Sequence, residues 1–140
     1  MKAEIKLIDG VAFDAITQSG HTVTIDGAIE GGGQNRGPRP MEMLLVGLGG
    51  CTAYDVTTIL RKARQDISDL KVTVSAERAS TDPKVFVSIH VHFIITGDNI
   101  KASAVEKAIN LSAEKYCSAS IMLAAGGVEI SHDYEIIELS

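Results

Sequence analysis

Cys51 and Cys117 are the only cysteines of this 140-residue chain, and each sits in a setting that bears on thiol chemistry. Cys51 follows two glycines inside "GLGGCTAYDV", a stretch with almost no charge, while Cys117 ends "AEKYC" and runs into "SAS". A free cysteine is most often a small buried hydrophobe. To act as a nucleophile it must be a thiolate, and a free thiol ionises only near ~8.5 unless a cation or a helix N-terminus lowers that value. The stretch around Cys51 offers no cation, so a positive partner has to come from elsewhere in the fold. Cys117 stands at the start of a new helical run, where the helix dipole favours a thiolate.

Other groups are weighed against the same question. His90 and His92 share one face of a strand, a spacing that suits metal ligation, but no third and fourth ligand accompany them, so a sheet face or a dimer contact is expected and no metal. His21 and His132 are read in the same way. Asp55, one turn after Cys51, either bonds locally or simply begins the exposed half of a helix, and the latter is favoured. Tyr116 is read as core or pocket wall. Arg61, Lys62 and Arg64 form a solvated basic helix end that suits the dipole.

The elements that must position these residues follow from periodicity. "MKAEIKLIDG" alternates Ala3, Ile5 and Leu7 against Lys2, Glu4 and Lys6, the pattern of a half-buried strand. Two more strands follow, broken at Ser19-Gly20 and Asp26-Gly27, so an antiparallel meander is expected. Residues 28–40, "AIEGGGQNRGPRP", hold four glycines and two prolines and read as a mobile loop or linker. From Pro40 the sequence is apolar on all sides for more than three turns and then amphipathic, which predicts a buried central helix with close neighbours at Gly47, Gly49 and Gly50. A hairpin follows, with Val72, Val74 and Ala76 on one face and Val85, Val87, Ile89, Val91, Phe93 and Ile95 on the other strand's inner face. Helical spacing of Val105, Ala108, Ile109 and Ser112, a second short helix and a final strand, "VEISHDYEII", complete the order. Three strands, a long helix, two strands, two helices and a strand make an α+β fold of antiparallel sheets packed around the long helix.

Size and charge narrow the function. A chain of 140 residues suits one domain, read here as 1–140. The net charge of −5 leaves no broad basic surface for nucleic acid. The longest uncharged apolar run, Met43 to Tyr54, falls short of the ~20 residues of a membrane span, and no basic-then-apolar leader is seen, so the expectation is a cytoplasmic protein without membrane or nucleic-acid partners. In such a compartment the two thiols are inert, redox-active or metal-binding rather than a structural disulfide.

The pairing of "RPMEMLLVGLGGCTAYDV" with "AEKYCSAS", in this order of elements, resembles the OsmC/Ohr family of thiol peroxidases, and within it the YhfA-like branch. The resemblance covers nearly the whole chain. It implies an OsmC-like α+β fold in an intertwined homodimer, a peroxidatic Cys51 that attacks an organic hydroperoxide, a resolving Cys117, and a dithiol reductant such as a lipoyl protein, with no bound cofactor. It also implies an activating arginine held by a glutamate, for which Arg36, Arg39 and Glu42 are the candidates. Met41 occupies the family's usual acidic position, with Glu42 next to it. At ~100° per residue Glu42 and Cys51 lie on opposite sides of a helix, so Glu42 serves only to orient an arginine. The first hairpin, "VAFDAITQSG", lacks the arginine of strongly active relatives, which keeps open an alternative: a non-catalytic small-molecule-binding or redox-sensing protein of the same fold.

Overall fold

The computed structural model describes residues 1–139. Its elements run β1 (Ala3–Asp9), β2 (Ala12–Thr17), β3 (Thr22–Asp26), α1 (Pro40–Lys62), β4 (Asp66–Arg78), β5 (Phe86–Asp98), α2 (Ala102–Leu111), α3 (Ser118–Ala125) and β6 (Glu129–Glu138). The expected order of elements is the observed one. Contacts along the backbone divide the chain into two compact units, Met1–Leu45 and the remainder from Val46.

In the first unit β1, β2 and β3 form the expected antiparallel meander. The alternation in β1 predicts a half-buried strand, yet every β1 residue is exposed and Ile5 and Leu7 keep more than half of their surface. Nothing among the described residues covers that apolar face. The glycine-rich segment, expected to be mobile, is instead fastened to a buried carboxylate. Asp26 ends β3 and accepts backbone N–H groups from Gly27 (2.8 Å) through Oδ1, and from Gln34 (3.0 Å) and Arg36 (3.3 Å) through Oδ2. Those bonds hold its carboxyl below the usual range, led by the Gln34 N–H. The glycines permit this close wrapping: a Cβ on Gly33 would overlap the Gly27 carbonyl, and one on Gly37 the Thr24 carbonyl.

In the second unit β4, β5 and β6 form a mixed sheet. β4 and β5 are antiparallel, but β6 lies parallel to β5, because α2 and α3 supply the long crossover that a parallel pair requires. The inner face of β5 is Ile89, Val91, Phe93 and Ile95, all at most 1% exposed. Val85 and Val87 do not join them, as expected from simple alternation; both are exposed and Phe86 is buried. The cause is a bulge: Arg78 pairs with Phe86 and Glu77 with Ser88, leaving Val87 without an opposite residue and reversing the alternation.

α1 also departs from expectation. Only one stripe, Leu48, Thr52, Val56 and Leu60 at four-residue spacing, is buried, whereas Val46 and Tyr54 are 62% and 71% exposed. By length and composition this helix matches a membrane span, but its buried stripe belongs to the core of the fold. Of the three glycines only Gly49 has a close neighbour, where a Cβ would stand 3.0 Å from Val74 Cγ2; Gly47 and Gly50 face open space. α2 buries Val105, Ala108 and Ile109, as its spacing predicts.

Candidate functional site

Three side chains of the second unit converge. The sulfurs of Cys51 and Cys117 and a carboxylate oxygen of Asp55 all lie within 4.8 Å of one another. Cys51 and Asp55 come from successive turns of α1, and both are half-buried. Cys117 is fully buried and is brought to them by an irregularity in the backbone. After α2 the helix widens into a π turn, Ser112–Tyr116, closed by a bond from Cys117 N–H to Ser112 C=O at 2.8 Å. Cys117 then leaves helical geometry and becomes the N-cap of α3, where its sulfur accepts the Ser120 N–H at 3.4 Å. The expectation that Cys117 opens a helix is met.

The same π turn aims Ser112 inward. Its hydroxyl donates to Asp55 Oδ2 at 2.9 Å and shares a 2.8 Å hydrogen bond with Thr52 Oγ1. Thr52 and Ser112 are almost completely buried, so each hydroxyl needs the other. Asp55 is therefore not the start of an exposed helix face but part of the thiol cluster, oriented by a serine and threonine pair. Among the described residues no salt bridge reaches it.

The two thiols are not equivalent. Burial, above all, pushes the Cys117 thiol up to about 12, with the Cys51 thiol and the Asp55 charge adding to the effect and the Ser120 N–H opposing it. At neutral pH Cys117 is a protonated thiol, and Cys51 is the sulfur that solvent reaches. With two soft sulfurs and a carboxylate, the cluster offers the ligand types of a soft divalent ion, and with two sulfurs so close it also offers a disulfide.

The basic candidates stand in the first unit and differ from each other. Arg36 is committed to the fastened loop: its Nε lies 3.5 Å from Asp26 Oδ2, its Nη1 3.5 Å from Asp9 Oδ2, and its Nη2 donates to the Asp9 carbonyl at 3.2 Å. Arg39 is held by Glu42, whose Oε1 lies 3.6 Å from Arg39 Nη1 and accepts the Arg39 N–H at 2.9 Å. An arginine oriented by a glutamate is thus present, and it is the pair Arg39 and Glu42.

His90 and His92 lie on the outer face of the β4–β6 sheet, where Asp133 Oδ1 takes both imidazoles at 2.8 and 2.7 Å and Glu135 approaches His92 at 3.4 Å. His92 is raised, chiefly by its bond to Asp133, and Asp133 is lowered by the same bond. His132 faces inward against Phe93 and is lowered by burial. Tyr116, expected in the core or in a pocket wall, is half exposed and so not a core residue.

Fold and site together define an α+β protein with an accessible thiol in the middle of α1 beside a buried thiol at the N-cap of α3. Comparison with known proteins narrows this class. The family described as "OsmC-like protein" matches residues 31–133. Protein YhfA of Escherichia coli K12 is 43% identical over 137 residues, covering 98% of both chains. A hypothetical protein from Aquifex aeolicus VF5 has a solved structure with a TM-score of 0.81 at 31% identity, covering 98% of this chain and 97% of that one. A Legionella pneumophila protein, described as an organic hydroperoxide resistance protein OsmC and predicted redox protein, shares the fold at a TM-score of 0.70 and 18% identity, covering 99% of this chain and 98% of that one. The chain belongs to the OsmC/Ohr family, on the side of YhfA.

Proposed function

We propose that this protein is a thiol-dependent peroxidase that reduces organic hydroperoxides through a cycle between Cys51 and Cys117. The observation that carries this reading is the approach of the two sulfurs, within 4.8 Å, with one accessible and one buried. Cys51 thiolate attacks the distal oxygen of the hydroperoxide, giving a sulfenic acid and an alkoxide that is protonated to the alcohol. Cys117 then displaces hydroxide to form the disulfide, capturing the sulfenic acid before further oxidation. A dithiol, of the kind carried by lipoyl proteins, returns both thiols, which suits a reducing compartment such as the cytoplasm. Arg39, oriented by Glu42, is the activating cation in this reading, since Arg36 is occupied by Asp26 and Asp9.

The protein acts as a homodimer in the same proposal. Each unit leaves an apolar face bare, Ile5 and Leu7 on β1 and Val46 and Tyr54 on α1, of the kind that marks an interface. Sedimentation of a single-chain mass at micromolar concentration would remove this part. A second reading, a non-catalytic small-molecule binder or redox sensor, is favoured by the lack of an arginine in the first hairpin. Turnover of cumene hydroperoxide with dihydrolipoamide decides between them: the wild type turns over and Cys51→Ser does not. Equal rates for both proteins exclude the peroxidase, and a wild type that closes the disulfide once without turnover selects the sensor.

A further inference from the structure

We infer that Asp55 is the proton acceptor of the resolving step, taking the Cys117 proton as that sulfur attacks Cys51. The inference rests on the two-cysteine cycle and assigns it a residue besides the sulfurs and the arginine. Its first ground is position: a carboxylate oxygen of Asp55 lies within 4.8 Å of both reacting sulfurs, near enough for direct transfer after a small side-chain movement or through one water. The second is orientation. Oδ2 is fixed by the Ser112 hydroxyl, itself tied to Thr52, while Oδ1 has no hydrogen-bond partner among the described residues.

The third ground is chemical need. Only a thiolate attacks at sulfur, and Cys117 is buried, with its thiol pushed up to about 12. Unaided, a negligible fraction is ionised at neutral pH. The Asp55 charge adds to the rise of the Cys117 thiol and so opposes its spontaneous ionisation. What it supplies is a basic oxygen where a proton must leave. The step balances: Asp55 carboxylate removes the Cys117 proton, the S–S bond forms as the S–O bond of the Cys51 sulfenic acid breaks, and the departing hydroxide takes the proton from Asp55 and leaves as water.

The test separates resolution from peroxide chemistry by using an aromatic disulfide, dithionitrobenzoate. Cys51 releases the first thionitrobenzoate anion when it is labelled, and Cys117 releases the second when it displaces the label. In the wild type the second release is fast and nearly independent of pH from about 6 to about 9, because the proton leaves to a positioned acceptor and not to hydroxide. In Asp55→Asn the first release is no slower, and the second falls about 10²-fold at pH 7 and rises about tenfold per pH unit, the signature of unassisted thiol ionisation. Asp55→Glu restores a flat profile. An Asp55→Asn protein, folded by circular dichroism, that gives the second release at the wild-type rate with the wild-type pH profile overturns the inference. So does a slowed release whose pH profile stays flat, which would make Asp55 structural. Loss of peroxide turnover in the wild type refutes the peroxidase and leaves this measurement intact, since it uses no peroxide.

Discussion

Replacing Ser112 with alanine tests the architecture of the site through stability. The hydroxyl is fully buried and serves two partners, Thr52 Oγ1 at 2.8 Å and Asp55 Oδ2 at 2.9 Å. Its removal strands the Thr52 hydroxyl away from water, which costs about 1–3 kcal/mol. Asp55 is half-buried and regains water on its open side, so its loss adds only about 1 kcal/mol. The expected destabilisation is about 2–4 kcal/mol, a large share of the ~5–15 kcal/mol that holds a typical domain together. For a chain of 140 residues this lowers the melting temperature by roughly 10 °C. Thr52→Val in the same protein removes the stranded group, so the double variant should recover ~1 kcal/mol relative to the sum of the single losses. Urea unfolding followed by circular dichroism, at one fixed protein concentration, measures all four corners of the cycle. A Ser112→Ala loss below ~0.5 kcal/mol, or strictly additive losses, would refute the buried relay.

Two further outcomes follow from the shifted groups. At pH 8 iodoacetamide should modify Cys51 well before Cys117, whose thiol is pushed up to about 12 and buried, and equal labelling by mass spectrometry would contradict the arrangement. In the β4–β6 sheet, NMR titration should place His92, on the outer face, above 6.5 and the inward-facing His132 below it; Asp133→Asn should bring His92 down. Because His92 is raised, its contribution to stability is complete below the unfolded value of 6.5 and fades as pH rises through the folded one. Asp133 is lowered, so its share is present above 3.8 and fades as pH falls through its depressed value. The cluster therefore stabilises most between these limits, and a His92 midpoint at or below that of His132 refutes the pairing.

Local pattern accounts for much of the fold. Side-chain alternation and helical spacing depend on neighbours in sequence, which is why the order of elements, the meander and the buried face of α2 are legible from residues alone. The same rule fails where geometry is non-local or irregular. One extra residue at Val87 reverses the inside and outside of β5, and no alternation count contains it. The glycine-rich segment reads as loose because its anchor, Asp26, acts through backbone groups up to ten residues away. Uniform apolarity in α1 predicts burial all round, but a side chain is buried only where another part of the chain covers it, and Val46 and Tyr54 have no such cover.

The site divides along the same line. Two cysteines in their two motifs name the family and the candidate thiols, because these are matters of residue type and order. Arg36 and Arg39 are alike in sequence, and only the pairing of Arg36 with Asp26 and Asp9 and of Arg39 with Glu42 tells them apart. Sixty-six positions separate the sulfurs along the chain, counting 117 − 51. It takes the π turn after α2 to bring Cys117 back to α1 and to aim Ser112 at Asp55. Residue types set which groups are available for chemistry; the folded backbone decides which of them share a few ångströms, since distance is the one quantity that sequence spacing does not carry.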